Sequence, residues 1–247
     1  MSLNGKRKLE VCFTPKLFSL FFTSDCITVV VDVLRATSAI CTAFENGIEK
    51  VIPVASVEEA KEYLGRGYLV GAERGGEIVD GFEYGNSPYS YMGDDIKGKT
   101  LILSTTNGTR AIEAARNSYK IAMGAFLNLN AIADWLLTQD KHVVVFCAGY
   151  RGRFNMEDTL FAGALSNRLM ESGLYTSECD STLASKHLYE IAKDDLYSFL
   201  ENTSHRNRLQ RLNLEKDIRY CLETNIANVV PVMEEDALIN LNSSNSH

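Results

Sequence analysis

The chain lacks a surplus of positive charge, a paired-cysteine motif, a long apolar run and an internal repeat, and each absence removes a class of protein. Its 25 lysines and arginines are outnumbered by 32 aspartates and glutamates, a formal net charge of -7, which excludes the broad basic field that nucleic-acid and anionic-membrane partners require. Any anionic ligand has to be held locally. The six cysteines, Cys12, Cys26, Cys41, Cys147, Cys179 and Cys221, contain no CxxC pair in a chain large enough to need no staples. That usage belongs to a reducing compartment and predicts a cytoplasmic protein. No run approaches the roughly 20 apolar residues of a membrane span. Lys6, Arg7 and Lys8 precede an apolar stretch, but Pro15, Lys16 and Asp25 interrupt it and no small-residue cleavage site follows. The segment therefore reads as a first strand over residues 9–13 and a loop, not as a signal peptide. No GxGxxG opens the first long helix, where Leu34-Arg35-Ala36-Thr37 stands, so a dinucleotide site is not indicated. His142, His187, His205 and His247 show no metal-ligand spacing and read as structural or surface residues, and the single Trp135 reads as core.

What is present is an alternation of strand and helix. Residues 27–31 form a short run rich in β-branched residues, too unbroken for a half-exposed strand, which predicts burial on both faces of a parallel or mixed sheet. Asp32 ends it, and apolar positions at Ala36, Ala39, Ile40, Ala43 and Phe44 then predict a helix with Thr37 and Ser38 as caps and Gly47 as the stop. Further strands are predicted over 50–55, 68–71, 101–103, 120–123, 142–147 and 229–233. Ser56 and Glu59 form a capping box for a helix through Leu64. Residues 71–76, a charged pair fenced by glycines, read as a loop, and residues 81–88 as a surface loop. Ser104 to Arg110 gathers hydroxyls, an amide and a glycine at a helix start, which predicts an anion site on Thr106, Asn107, Gly108 and Thr109. With 247 residues, 45% hydrophobic, and no linker or repeat, the chain is expected to form a single domain over 1–240. A polar helical subregion is expected over 174–228 and a disordered tail over 241–247.

The strand ends carry the chemistry. Asp32 and Glu73, joined by Glu157 and Asp158 at a helix start, supply oxygens suited to a hard cation such as Mg²⁺. Arg35, Arg74, Arg110, Arg151 and Arg153 occupy the same junctions and offer planar donors for phosphate, sulfonate or carboxylate. Taken singly, each is equally readable as a solvated surface residue. Asp32 stands apart, because an unpaired acid after an apolar strand is costly unless it is used. A competing motif is the cysteine, five-residue, arginine spacing from Cys147 to Arg153, as in cysteine-dependent phosphatases, although Phe146 stands where a histidine is usual. The plainer reading of Cys147 is a buried small hydrophobe.

The segments DVLRATS (32–38), GAERGG (71–76), GFEYGNSP (81–88), STTNGTRA (104–111), CAG (147–149) and EDTLFAG (157–163) closely resemble the signatures of the 2-phosphosulfolactate phosphatase (ComB-like) family. The resemblance is strong over residues 27–170 and weak elsewhere. It implies a three-layer α/β/α fold with a mixed, largely parallel sheet, and a Mg²⁺-dependent acid phosphatase that converts 2-phospho-3-sulfolactate to 3-sulfolactate and phosphate on the way to coenzyme M. The motif residues fall on Asp32, Arg35, Glu73, Arg74, Asn107, Arg110 and Asp158. The expected site thus has Asp32, Arg35 and Arg110 as catalytic residues, Asp32, Glu73 and either Glu157 or Asp158 around the ion, and Arg74, Thr106, Asn107, Gly108, Thr109 and Arg153 on the substrate. Either water activated by the ion or Asp32 itself is the nucleophile. A related phospho-acid substrate, a phosphate-binding module without catalysis and a homo-oligomeric state stay open.

Overall fold

The computed structural model describes residues 5–242. In chain order the strands are β1 (Arg7–Cys12), β2 (Ile27–Val31), β3 (Lys50–Pro53), β4 (Leu69–Arg74), β5 (Glu77–Ile78), β6 (Thr100–Ser104), β7 (Lys120–Gly124), β8 (Val143–Cys147), β9 (Tyr175–Thr176), β10 (Pro231–Glu234) and β11 (Ala237–Asn240). The helices are α1 (Phe18–Phe21), α2 (Ala36–Glu45), α3 (Val57–Lys61), α4 (Gly108–Ala114), α5 (Leu129–Thr138), α6 (Met156–Glu171), α7 (Asp180–Ala192), α8 (Leu196–Phe199), α9 (Ser204–Arg211) and α10 (Glu215–Cys221).

The period-2 alternation of β2 explains the layering. Ile27, Val29 and Val31 enter one apolar cluster and Val30 another, and β8 divides in the same way, with Val143, Val145 and Cys147 on one face and Val144 and Phe146 on the other. A strand that buries both faces needs a helical layer on each. On the first face lie α5, α6 and α10 through Ile132, Leu136, Phe161, Leu165 and Ile218, and on the second lie α2 and α4 through Ala39, Ile40, Phe44 and Ile112. The protein is a three-layer α/β/α structure with a mixed, mostly parallel sheet, in agreement with the sequence.

The strand order is β5-β4-β6-β3-β11-β10-β7-β2-β8-β1-β9. Two parallel blocks, β4-β6-β3 and β7-β2-β8-β1-β9, are joined by the antiparallel hairpin β10-β11, through Val232 opposite Ala122 and Leu238 opposite Val51. The C-terminal region is thus part of the sheet, and α9 and α10 bury Leu209, Ile218 and Cys221 in the main core. Three short strands, β5, β9 and β11, have no counterpart in the sequence reading, being too brief for periodicity to register. The capping box forms, with Ser56 Oγ accepting from Glu59 N–H at 3.0 Å, but α3 ends at Lys61, short of Leu64. The expected disordered tail starts too early: Leu241 packs on the core and its N–H donates to Val230 O at 3.1 Å. Residues 243–247, His247 among them, lie outside the described residues. Among the described residues no helix is long and apolar enough to cross a membrane.

Candidate active site

The helices that follow the adjacent strands β2 and β8 leave on opposite faces, α2 on one and α6 on the other. In open α/β sheets the gap opened at the carboxyl ends of two such strands is where ligands bind. Asp32 stands at the end of β2 in that gap. Its main chain is tied by short local bonds. The Asp32 N–H donates to Thr37 Oγ1 at 3.1 Å, Thr37 N–H donates to Asp32 O at 3.0 Å, and Ser38 Oγ donates to Val33 O at 2.8 Å. Thr37 and Ser38, expected as caps, instead lie inside the first turn of α2, with Arg35 at the N-cap after a cis Leu34–Arg35 peptide.

Asp158, fully buried at the start of α6, clips the two junctions together. Its Oδ1 accepts from Val33 N–H at 2.9 Å and its Oδ2 from Gly149 N–H at 3.1 Å, one from the loop after each strand. Asp32 is only 4% exposed, yet no described hydrogen bond reaches its carboxyl. Burial first, and then the charge of Asp158, push the Asp32 carboxyl up to about 8. Burial and the neighbouring Glu157 do the same to Asp158, also to about 8. Two acids in one environment are therefore wired in opposite ways.

Glu73 comes from the other block of the sheet. It lies on β4, not in a loop, because β4 continues through Arg74 into a hairpin with β5. The turn Gly75-Gly76 has φ of +67° and +94°, a pair of left-handed conformations that favours glycine at both positions. Gly76 N–H donates to Glu73 Oε1, and Asn86 Nδ2 and Thr106 Oγ1 donate to Oε2, each at 3.3 Å. Arg35 is buried in the wall of the same cavity, where Nη1 pairs with Asp217 of α10 and Nη2 donates to Gly76 O at 2.6 Å. The cavity holds about 60 Å³ of free space, and Asp32, Arg35, Glu73, Thr106, Asn107 and Arg208 are among its lining.

The remaining expected residues divide. Gly108 packs beside the acid: a Cβ there would stand 2.9 Å from Ala36 Cβ and 3.5 Å from Asp32 Oδ2. Thr109 turns inward, its N–H donating to Thr105 Oγ1 at 3.1 Å and its hydroxyl to Thr105 O at 2.7 Å. The expected hydroxyl and amide cradle is thereby reduced to Thr106, Asn107 and the Gly108 backbone. Arg74 is not on the cavity wall; its guanidinium holds the end of β6 through Ser104 Oγ at 3.1 Å. Arg110 and Arg153 are solvent-exposed and off the lining, because the first turn of α4 and the Tyr150–Arg153 turn direct them outward. Cys147 is fully buried in the apolar core and burial raises its thiol well above the usual range, so the thiolate alternative has neither access nor ionisation.

Glu157 lies beneath the cavity and meets a residue that sequence patterning missed. His205 Nδ1 is 2.5 Å from Glu157 Oε1, and Arg208 Nη2 is 3.0 Å from His205 Nε2. A guanidinium only donates, so Nε2 accepts and the imidazole proton sits on Nδ1, directed at Glu157. Tyr150 and Asn86 belong to the missed lining, and Arg151, one of the junction arginines of the sequence, lines the cavity as well. His205 and Arg208 sit three apart on a polar helix, a pattern indistinguishable from a solvated face.

Hard divalent cations take oxygen ligands, Mg²⁺ commonly one or two carboxylates with water and phosphoryl oxygens making up the rest. The donor chemistry fits such an ion. Asp32 has a carboxyl with no protein donor, Gly108 keeps its flank open, and Glu157 Oε2 and Asn155 Oδ1 are buried without partners. The ligand set expected from the sequence, Asp32, Glu73 and one of Glu157 and Asp158, is not gathered as a ready site, since among the described residues no three His, Cys, Asp or Glu side chains stand together. The physical reason is that Asp158 and Glu73 are already engaged by backbone and side-chain donors.

An α/β/α protein with a buried acid and fixed arginines at the carboxyl edge of its sheet is of the kind that handles small anionic ligands. The model of the 2-phosphosulpholactate phosphatase family matches residues 12–236, and the chain belongs to that family. A protein of Thermotoga maritima is 40% identical over 211 residues, covering 85% of this chain and 90% of its own. One of Caldanaerobacter subterraneus is 38% identical over 210 residues, with 83% and 87% covered, and one of Clostridium botulinum is 34% identical over 238 residues, with 95% and 100% covered. Each of the three is named a probable 2-phosphosulfolactate phosphatase.

Proposed function

We propose that the protein is a Mg²⁺-dependent phosphatase of small anionic phosphate monoesters, converting 2-phospho-3-sulfolactate to 3-sulfolactate and phosphate. The observation that carries the reading is Asp32, a buried carboxyl without a protein donor on the floor of a cavity walled by arginine. Asp32 would hold the ion together with one carboxylate of the Glu73, Glu157 and Asp158 set. Bound there, the ion would supply charge neutralisation of the phosphoryl oxygens and lower the pKa of water. Arg35 keeps a fixed positive charge in the wall, because Asp217 and Gly76 O leave it one orientation. Asn107 would offer its amide to the oxygens of the ester, beside the Thr106 hydroxyl that donates to Glu73 Oε2. Water is the favoured nucleophile over Asp32, since Leu34 stands where an aspartyl phosphatase carries its second acid.

The names of the relatives support the substrate, and a place in sulfolactate and coenzyme M metabolism follows from it. Six free cysteines, five of them buried, accord with a cytoplasmic enzyme. The test is phosphate release from 2-phospho-3-sulfolactate and from p-nitrophenyl phosphate, with Mg²⁺ and with EDTA. Release with Mg²⁺ and none with EDTA is expected. No release under any condition identifies a binding module, and release undiminished by EDTA removes the ion.

A further inference from the structure

Three arginines line the cavity, and one of them is already committed to a carboxylate. Arg35 is matched by Asp217, whereas Arg151 and Arg208 have no carboxylate within ion-pair reach among the described residues. Both lie on one aromatic ring. The Cζ atoms of Arg151 and Arg208 are 5.2 Å and 4.6 Å from the centroid of Tyr150, and the His205 ring stacks on the same side chain at 5.2 Å. A guanidinium over a ring gains cation–π attraction while its in-plane donors stay available for an anion. Arg208 is further pinned by Nη1 to Gly75 O at 2.6 Å and by Nη2 to His205, and its Nε is buried without an acceptor.

Arg151 adds an independent observation. Its φ is +52°, between Gly149 at +61° and Gly152 at +71°, so an arginine shares the left-handed conformation of the two glycines that flank Tyr150 and Arg151. That conformation is strained for a non-glycine residue. The Arg151 side chain is exposed and makes no described hydrogen bond that would offset the strain, and its guanidinium lies over the Tyr150 ring at the cavity mouth. The cavity is thus split electrically, with unmatched acid at Asp32 and unmatched cation at Arg151 and Arg208.

The geometry points to Arg151 and Arg208, mounted on Tyr150, as the receptor for a second acidic group, a carboxylate or sulfonate carried on the alcohol portion of the ester, and hence as the residues that select multiply charged esters over neutral ones. This assignment rests on the phosphatase reading for its kinetic consequence and on binding alone for its chemistry. An ester with a neutral tail would leave two guanidinium groups facing a cavity without counter-charge.

The test uses Arg151→Gly, which keeps the turn in its preferred conformation and removes the charge, and Arg151→Lys, which keeps the charge without the fork. The ratio of kcat/KM for 2-phospho-3-sulfolactate to that for p-nitrophenyl phosphate is expected to fall about tenfold or more in Arg151→Gly, mainly through KM, and less in Arg151→Lys. Binding of 3-sulfolactate, which carries both acids and no phosphate, is read by calorimetry in parallel and should weaken by a similar factor, with Tm not lowered. An unchanged ratio, equal binding by wild type and Arg151→Gly, or no binding by wild type into the millimolar range overturns the assignment. Should wild type hydrolyse neither ester, the phosphatase reading fails by itself and the calorimetry still decides this one.

Discussion

The floor of the cavity and its rim come from different parts of the chain and are held by different means. The floor, Asp32 with Asp158 and Glu73, stands at the carboxyl ends of strands and at a helix start; backbone donors close by in the fold hold Asp158 and Glu73, and the Asp32 carboxyl has no described donor. The rim, Arg35, His205 and Arg208 with Tyr150, is positioned by contacts between side chains far apart in sequence: Arg35 to Asp217 across 182 residues and His205 to Glu157 across 48. Asp158 ties the loops after the neighbouring strands β2 and β8, while Glu73 arrives with β4 in the other block, so the whole floor exists only once the hairpin β10-β11 has joined the two blocks. The rim requires α9 and α10 to dock. The acids are thus set at the edge of the sheet, and part of the cationic rim is supplied by the C-terminal helices.

The sharpest way to break this comparison is to remove the one carboxyl on the floor that has no protein partner. Asp32→Asn is expected to lower kcat on the order of 10³-fold or more, measured as phosphate release with Mg²⁺. Near-normal turnover would take Asp32 out of the chemistry and leave the rim as the active element. The same variant has a signature in stability. The folded-state pKa of Asp32, about 8, lies above the unfolded value of about 3.9. Between those two values the folded protein binds a proton that the unfolded chain has released. Stability of the metal-free protein therefore falls as pH rises from about 4 to about 8 and levels off above. Asp32→Asn should flatten that slope, and thermal melts in EDTA across this window measure it.

The floor was readable in the sequence and, apart from Arg35, the rim was not, for the same physical reason. Asp32 announces itself because an acid after Val29, Val30 and Val31 has to be accounted for. Glu73 and Asp158 follow from strand ends and a helix start. His205, Arg206 and Arg208 lie in a segment rich in polar and charged residues, which reads as a solvated helix, and nothing local tells that His205 and Arg206 are 4% and 3% exposed. Arg110 and Arg153 failed in the opposite direction. Their spacing suggested a site, and the turn geometry of α4 and of Tyr150–Arg153 faces them outward. Of the hairpin β10-β11 only β11 escaped, for a third reason, since its place in the sheet is fixed by β3, more than a hundred residues earlier.

A second, smaller effect sharpens the comparison from the side of the rim. Arg35 and Asp217 are 5% exposed each and form an ion pair between the start of α2 and α10. Asp217→Ala leaves a buried guanidinium unpaired, which costs about 3–5 kcal/mol and is measured by denaturant unfolding. Arg35→Met combined with Asp217→Ala should recover most of that loss, because the uncompensated charge goes with it. If Asp217→Ala is neutral, the C-terminal helices do not depend on this pair, and the rim is held by its apolar contacts alone.

The smallest expected effect lies under the floor. Cys147 ends β8 one residue before the Ala148-Gly149 turn, and its sulfur faces the same apolar cluster as Val143 and Val145. Replacing it with alanine removes one buried sulfur and costs about 1 kcal/mol of stability, but it should leave turnover per folded molecule within about twofold, since burial keeps the thiol protonated at any pH where the enzyme would work. Asp158, which ties the loop after β8 to that after β2, holds its place through Gly149 N–H and Val33 N–H without any contribution from the sulfur. Turnover abolished in Cys147→Ala, with Asp32→Asn still active, would transfer the chemistry from the carboxyl at the end of β2 to the thiol at the end of β8. The two strands would then have exchanged roles in a fold that otherwise stays the same.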